Sequence, residues 1–175
     1  MQSWIKSGDE WQSRIKLSEV CSDDVLKYIH LPWCLGFSES KLICEKYQGQ
    51  MTVITSSEMQ KYLFDRLREV ANSSVGCAYP GIWTGFSDIA AEGHFIDVYN
   101  GKWLSSLGDF DPFIIGQPNG DTKENCASAD LRVYNKKPSF DAKTWYDDPC
   151  DVALHSFCKI HQNPTLKMRG KLEKK

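Results

Sequence analysis

The sequence predicts an α+β domain, with two helices first and short strands joined by long loops after them. Apolar residues recur at helical spacing in two stretches between residues 37 and 70. Beyond Asn72 this spacing gives way to short aromatic-rich segments broken by Gly, Pro and Asn. Seven cysteines without a Cys-x-x-Cys pair favour disulfide bonds over a metal cluster. We therefore expect a small disulfide-braced domain.

Each predicted helix has its own start signal. The first runs over residues 37–47, with Ser38 as its N-cap and residues 48–49 as its stop. The second begins where Thr55 and Glu58 have capping-box spacing. The apolar positions on one face are Leu42, Ile43 and Tyr47 in the first helix and Met59, Leu63, Leu67 and Val70 in the second.

Large aromatic residues and short turn motifs mark the second half of the chain. Asn100 and Gly101 form a dipeptide that predicts a hairpin turn. The four histidines are predicted to be surface or loop residues. The rings predicted to be buried in the core are Trp83, Phe86, Trp103 and Trp145.

Composition limits the classes of function. The 175 residues are 41% hydrophobic, enough for one core, and 21 Lys and Arg against 23 Asp and Glu give a net charge of −2. This balance disfavours binding to nucleic acid or to an anionic membrane. No apolar run approaches the ~20 residues of a membrane span, and residues 1–11 do not have the form of a signal peptide. Because disulfides need an oxidising compartment, we expect an excised part of a longer secreted or membrane-anchored protein.

Four short motifs occur in one order along the chain. They are Cys44 late in the first helix, Trp83–Phe86, Gly116–Cys126, and Trp145–Cys150 ahead of Cys158. In this order and spacing, residues 31–160 resemble the C-type lectin-like domain. The resemblance implies two helices and small antiparallel sheets with a long loop region, braced by disulfides.

Two polar stretches flank this predicted domain. Residues 1–30 form a lead-in whose Trp4, Trp11 and Cys21 are similar to the closing strands of pentraxin or laminin-G-like modules. Residues 161–175 are basic at their end and indicate a linker or tail.

The resemblance also implies which cysteines pair. The two expected bridges are Cys44–Cys158 and Cys126–Cys150. They close loops of ~115 and ~25 residues, worth about 4.8 and about 3.5 kcal/mol in the chain-entropy model. Three cysteines then remain, with two alternatives. Cys21 pairs with Cys34, as in long-form members of the family, or Cys34 pairs with Cys77 and Cys21 bonds outside the chain.

The resemblance further implies a calcium site in the long loop. Sugar-binding members supply oxygen ligands from a triplet centred on a cis proline, a Glu two residues before the next Cys, and an Asn-Asp pair after a Trp. Pro118 is the proline here. The residues at the ligand positions are Gln117, Asn119, Glu124 and Asp147.

Two features of this site depart from the family pattern. Tyr146 stands at the Asn position, where a phenol is a poor substitute for an amide carbonyl and would occupy space beside the ion, so we expect weaker calcium affinity than in a full site. An auxiliary calcium site would use Asp88 and Glu92, but Gly120 replaces one of its acidic residues. An exposed acidic loop is the alternative for Asp88 and Glu92.

These observations predict an extracellular module that binds a glycan or glycoprotein through calcium. The alternative is a calcium-independent protein-binding or spacer domain of a modular receptor. No motif places a base or oxyanion donors around a cysteine, so we do not expect an enzyme. Residues 72–74 form an N-glycosylation sequon, which predicts a glycoprotein if the chain is secreted.

Overall fold

The computed structural model describes residues 26–70, 76–120, 122–136 and 142–161, which form an α+β domain. The secondary structure consists of helices and two antiparallel sheets, in the class that the sequence predicts. Four of the predictions fall on residues outside the described ranges: the pentraxin-like or laminin-G-like lead-in, the partner of Cys21, the sequon at residues 72–74 and the basic tail.

Helix α1 spans Phe37–Lys46, close to the predicted segment. Its N-cap is Gly36, whose backbone N–H donates to Oε2 of Glu39 at 3.3 Å, so the prediction of Ser38 as N-cap is wrong. The helix stops before Gln48, which has a positive φ of 59°. The stop at residues 48–49 is thus confirmed.

Helix α2 spans Ser57–Val70 and helix α3 spans Leu131–Lys136. The hydroxyl of Ser56 accepts the backbone N–H of Met59 at 3.3 Å, so the cap lies one residue after Thr55. Helix α3 follows a strand directly and was not predicted. A turn of 3₁₀-helix covers residues 104–106. The fully buried apolar side chains of α2 are Leu63, Phe64 and Leu67.

In the described part of the chain, seven strands form two sheets. The three-stranded sheet has the order β1-β7-β2 and the four-stranded sheet the order β4-β3-β5-β6, with every neighbouring pair antiparallel. Strand β1 lies before residue 31, where the sequence places the start of the domain. The strands are β1 (Leu26–His30), β2 (Gly49–Met51), β3 (Gly81–Ser87), β4 (Ile96–Asp97), β5 (Cys126–Asp130), β6 (Trp145–Asp148) and β7 (Phe157–His161).

Three disulfides join the six cysteines that the structure describes, and they include both bridges implied by the family resemblance. The bridge between Cys44 and Cys158 ties α1 to β7, and a second joins the start of β5 to the segment after β6. The third joins Cys34 to Cys77, which decides between the two alternatives left by the sequence. The three bridges are Cys44–Cys158, Cys126–Cys150 and Cys34–Cys77.

Three of the four predicted core rings are buried, and the fourth is not. Trp83, Phe86 and Trp145 are at most 2% exposed, whereas Trp103 is 51% exposed. Trp103 follows the predicted hairpin turn and pairs with Ile96 of β4, which is an edge strand. An edge position leaves one side of the ring without a covering layer, so the prediction that Trp103 is buried is wrong.

Candidate functional site

The long loop between β4 and β5 lies against strand β6. Asp147 lies in β6 opposite Ala127 of β5, and Glu124 lies two residues before the first residue of β5. Gln117 and Asn119 come from the loop itself. Strand β6 thus carries Asp147, and the loop before β5 carries the other three residues that the sequence predicts as ligands.

Backbone amides of the loop hold the carboxylate of Asp147. The N–H of Asn119 donates to Oδ1 at 3.1 Å, and the N–H of Gly120 donates to Oδ2 at 2.5 Å. Asp147 is only 5% exposed. These charge-assisted hydrogen bonds fix the loop against β6 and place a negative charge beneath it.

Gly120 is the point on which two carboxylates converge. A Cβ at this position would lie 2.6 Å from Oδ2 of Asp147, 2.6 Å from Oε2 of Glu124 and 2.4 Å from the Cβ of Glu124. No side chain fits there without displacing these groups. The hydrogen of glycine therefore allows the two carboxylates to approach one another.

Gln117 lies three residues before Gly120 in the same loop and offers an amide oxygen. Its Oε1 is buried and has no hydrogen-bond partner among the described residues, and the bond between Gln117 and Pro118 is cis, as the family resemblance implies. A buried amide oxygen without a donor needs an explanation, and a bound cation is one. The donors are all oxygens and include two carboxylates, so the residues fit a calcium ion.

Tyr146 lies on the opposite face of β6 from Asp147. It pairs with Ser128 of β5, and side chains alternate along a strand, so Tyr146 shares its face with Asp148. Asp148 accepts a hydrogen bond from the hydroxyl of Ser128 at 2.5 Å. Burial raises the pKa of the Tyr146 phenol, and nearby Asp130 adds to the rise. The structure thus places the ring beside Asp130 and Asp148.

The auxiliary pair lies in the turn after β3. Asp88 is 2% exposed, and its Oδ2 accepts the N–H of Gly93 at 2.8 Å. Its Oδ1 is buried and has no hydrogen-bond partner among the described residues, whereas Glu92 is exposed. The N–H of Asp88 donates to the carbonyl of Asn125 at 3.1 Å, which brings this turn beside the loop that carries Glu124.

An open cleft lies alongside the long loop. It has a volume of about 560 Å³, and Pro118 contributes to its wall. The exposed ring of Trp103 contacts His94 edge-on, with ring centroids 4.8 Å apart. Asp111 contributes a carboxylate, which accepts a hydrogen bond from Lys143 at 2.5 Å. The other aromatic residues along the cleft are Phe95, Phe110 and Phe113.

Two histidines that the sequence predicts to be surface or loop residues belong to a buried cluster. His155 is 1% exposed; its Nδ1 lies 3.0 Å from Nε2 of His30, and its Nε2 lies 3.4 Å from Sγ of Cys77. Burial lowers the pKa of His155 to about 4, and burial together with the charge of His155 lowers that of His30 to about 3. The surface prediction is wrong for His155, which lies between Leu154 and Phe157 in an apolar stretch. The apolar residues around His155 are the sequence signal from which its burial could have been predicted.

The fold and this loop define a class of protein: a disulfide-braced α+β domain with an oxygen-rich loop beside one small sheet. The family model for the lectin C-type domain matches residues 35–160, and the chain belongs to this family. The C-type lectin domains are generally binding domains and typically bind Ca²⁺, although some members are calcium-independent.

Relatives and solved structures agree with this family. Tetranectin of Mus musculus is 29% identical over 137 residues, which cover 75% of this chain and 61% of that protein. The chain thus spans about three fifths of the length of the curated relatives it matches. Two solved structures share the fold: the cow carbohydrate-recognition domain of CD23, in the presence of the oligosaccharide GlcNAc2Man3, and a calcium-independent type II antifreeze protein.

The structural agreement covers most of the chain. The CD23 domain has a TM-score of 0.56 at 22% identity and covers 82% of this chain and 98% of its own. The antifreeze protein has a TM-score of 0.53 at 18% identity, with 82% and 96% covered. Within the described residues, no helix is both long and apolar enough to cross a membrane.

Proposed function

We propose that this protein is an extracellular module that binds a glycan or glycoprotein through a calcium ion in the long loop. The observation that carries the proposal is the arrangement around Gly120. There the carboxylates of Glu124 and Asp147 converge. In the same loop, the buried amide oxygen of Gln117 has no hydrogen-bond partner among the described residues. Oxygen donors of this kind are the ligands that calcium prefers.

The proposed mechanism has three parts: coordination by the ion, hydrogen bonding by side chains, and support of Asp147 by the backbone. When bound, calcium supplies coordination sites for two neighbouring hydroxyls of a sugar. Gln117, Asn119 and Glu124 hydrogen-bond the same hydroxyls and so fix the orientation of the sugar ring. The backbone amides of Asn119 and Gly120 hold Asp147 in place throughout.

The placement of Tyr146 bears on calcium affinity. Because its ring shares a face with Asp148, it does not crowd the side of β6 that carries Asp147. The site still lacks the amide ligand that an Asn would provide. Calcium affinity at such sites rises with the charge and the number of the ligands. With two carboxylates, and one ligand fewer than the family pattern provides, this site should bind calcium weakly.

The cleft beside Pro118 extends the proposed site. Trp103 offers an exposed aromatic face, and the cleft has both apolar walls and the carboxylate of Asp111. A sugar ring has an apolar face that packs on an aromatic ring and hydroxyls that bond to carboxylates. We therefore place a second residue of the glycan against Trp103.

A calcium-independent binding function is the second candidate. The observation that favours it is that the carboxylate of Asp147 already accepts hydrogen bonds from Asn119 and Gly120. The loop is therefore held against β6 by the protein alone. In this case the ligand would be a protein, and the module would serve as a binding or spacer domain of a modular receptor.

An extracellular location is supported by the three disulfides. Such bridges form and persist in oxidising compartments, and a cytosolic protein of this size rarely carries three. The protein would then also be open to glycosylation at residues 72–74.

A thermal melt with calcium and with chelator tests the metal site. A ligand present at 100 times its dissociation constant stabilises a protein by about 2.7 kcal/mol, so the melting temperature should rise with calcium. A glycan array run in calcium then tests sugar binding. An unchanged melting temperature at millimolar calcium contradicts the metal site and supports the second candidate. Calcium binding without any glycan signal contradicts the glycan proposal.

A further inference from the structure

The bridge between Cys34 and Cys77 lies beside a buried imidazole. The Nε2 of His155 is 3.4 Å from Sγ of Cys77, and the nitrogen and both sulfurs lie within 4.8 Å of one another. Within residues 26–70, 76–120, 122–136 and 142–161, this is the single group of three or more cysteine, histidine or acidic side chains assembled so closely. Two sulfurs and one imidazole nitrogen are therefore close enough to bind one metal ion, but the S–S bond prevents the sulfurs from doing so.

His30 is not one of these three residues, but it orients the imidazole of His155. Its Nε2 lies 3.0 Å from Nδ1 of His155, so it can accept the Nδ1 proton and leave the lone pair of Nε2 on His155 facing the sulfurs. Metal-bound histidines characteristically hydrogen-bond a second group through their other nitrogen.

The distances suit a zinc ion once the S–S bond is open. Zinc lies about 2.3 Å from thiolate sulfur and about 2.0 Å from imidazole nitrogen, which puts neighbouring ligands of a tetrahedron about 3.5 Å apart. The observed 3.4 Å between His155 and Cys77 is close to this value. Two thiolates also cancel the charge of the ion, which favours binding at a site where Cys34 is buried.

We propose that Cys34, Cys77 and His155 form a redox-controlled site for a thiolate-binding divalent metal such as Zn²⁺, with His30 as a positioning residue. A dithiol reductant transfers two electrons and two protons to the bridge, becomes a cyclic disulfide and leaves two cysteine thiols. Zn²⁺ then replaces the two thiol protons, which pass to solvent, and binds Nε2 of His155 as a third ligand. Water takes the fourth position.

Access favours reduction of this bridge before the one that ties α1 to β7. Cys77 is half-buried in the segment before β3, whereas Cys44 and Cys158 are at most 1% exposed. Thiol attack on a disulfide needs an accessible sulfur. The domain therefore keeps a second covalent brace while Cys34 and Cys77 are open.

Metal binding to the partly reduced full chain tests the proposal. The Cys21→Ser variant removes the seventh cysteine, mild dithiothreitol opens the bridge, and alkylation with mass spectrometry identifies the reduced residues. Co²⁺, added without oxygen, should bind once per chain with a sulfur-to-cobalt charge-transfer band, and Zn²⁺ should displace it. The untreated protein should show no such band.

Matched variants separate the proposed ligands from other sites. His155→Gln should remove the band or weaken cobalt binding at least about 100-fold, and His30→Gln should weaken it about 10-fold to 100-fold. His94→Gln, at an exposed histidine, should leave binding unchanged.

Three results would overturn the proposal. One is reduction of the bridge only together with global unfolding. The second is cobalt binding without the sulfur band. The third is a sulfur-to-cobalt band that persists in the double variant Cys34→Ser and Cys77→Ser. If His155→Gln does not fold, this double variant still tests whether the two cysteines bind the metal. None of these readouts involves the calcium loop.

Discussion

The indole N–H of Trp145 donates a hydrogen bond to Oε1 of Gln60 at 2.7 Å, and both side chains are fully buried. The same oxygen accepts the hydroxyl of Thr144 at 3.1 Å, and the amide of Gln60 donates to the carbonyl of Ala142. One polar side chain of α2 therefore provides hydrogen-bond partners for three polar groups around the start of β6. Asp147 lies two residues further along that strand.

Replacing this glutamine tests how strongly α2 supports β6. Gln60→Met should lower the free energy of unfolding by about 2 to 4 kcal/mol, because Trp145 and Thr144 lose their acceptor inside the core. Chemical denaturation measures the change, and Gln50→Met, at an exposed position of β2, is the control. Equal stability of the two variants would contradict this role of Gln60.

Asp147→Asn tests the calcium site directly. The change removes a negative charge from the ligand set, so calcium affinity should fall about tenfold or more. The rise in melting temperature at a calcium concentration that stabilises the parent protein should therefore disappear. Asp151→Asn, at an exposed residue outside the loop, should keep the full rise. A calcium response that is the same in both variants would exclude Asp147 as a ligand.

Gly120→Ala tests the convergence of the two carboxylates. The added Cβ would meet Oδ2 of Asp147 and Oε2 of Glu124 at 2.6 Å, so both must move. We expect a loss of about 1 to 3 kcal/mol of stability and a weaker calcium response, since overpacking has that typical cost. Calorimetric titration with calcium gives the affinity, and an affinity equal to that of the parent protein would show that the close approach at Gly120 is unnecessary.

Trp103→Ala tests the cleft as part of the glycan site. Because the ring is half-exposed, the free energy of unfolding should change by only about 0.5 kcal/mol. Affinity for a glycan that binds in calcium should fall about 2-fold to 10-fold, the value of a lost aromatic contact. Leu42→Ala, at an exposed residue of α1, controls for a general surface effect. Unchanged glycan affinity would remove the cleft from the proposed site.

Acid should destabilise the domain through His155. Its pKa is lowered in the folded state to about 4, so the unfolded chain binds its proton first as pH falls below about 6.5. This contribution to stability is fully present above pH 6.5 and is lost between pH 6.5 and about 4. At pH 5 the loss should be about 2 kcal/mol from this histidine.

Denaturant unfolding at several pH values measures the acid effect. The stability of His155→Gln should depend less on pH in this window, whereas His94→Gln should follow the parent protein. A parent protein with constant stability between pH 6.5 and 4.5 would contradict the buried neutral state of His155.

Much of the fold was predictable from the residues. The helical spacing placed α1 and α2, and the order of motifs placed two of the three bridges. The start of α1 was missed for a tertiary reason: the N–H of Phe37 donates to the carbonyl of Cys150 at 2.8 Å, and this contact joins residues far apart in sequence. Local cap preferences around Ser38 carry no information about it.

The candidate site was predictable in its residue types but not in its geometry. The motif identifies Gln117 and Asp147, but only the folded loop shows that Asn119 and Gly120 hold the carboxylate through their backbone amides. The exposure of Trp103 depends on β4 being an edge strand. Sheet order is a long-range property that the turn signal before Trp103 does not determine.

The bridge between Cys44 and Cys158 also has a mechanical consequence. Strand β1 pairs with β7, with Leu26 opposite His161, so tension applied across the two ends of the domain would first peel these strands apart. Beyond that point the force passes through the S–S bond from residue 44 to residue 158. Residues 45–157, which include Gln117 and Asp147, would be bypassed and would stay folded under load. In a domain built this way, a pull on the two ends is carried past the long loop rather than through it.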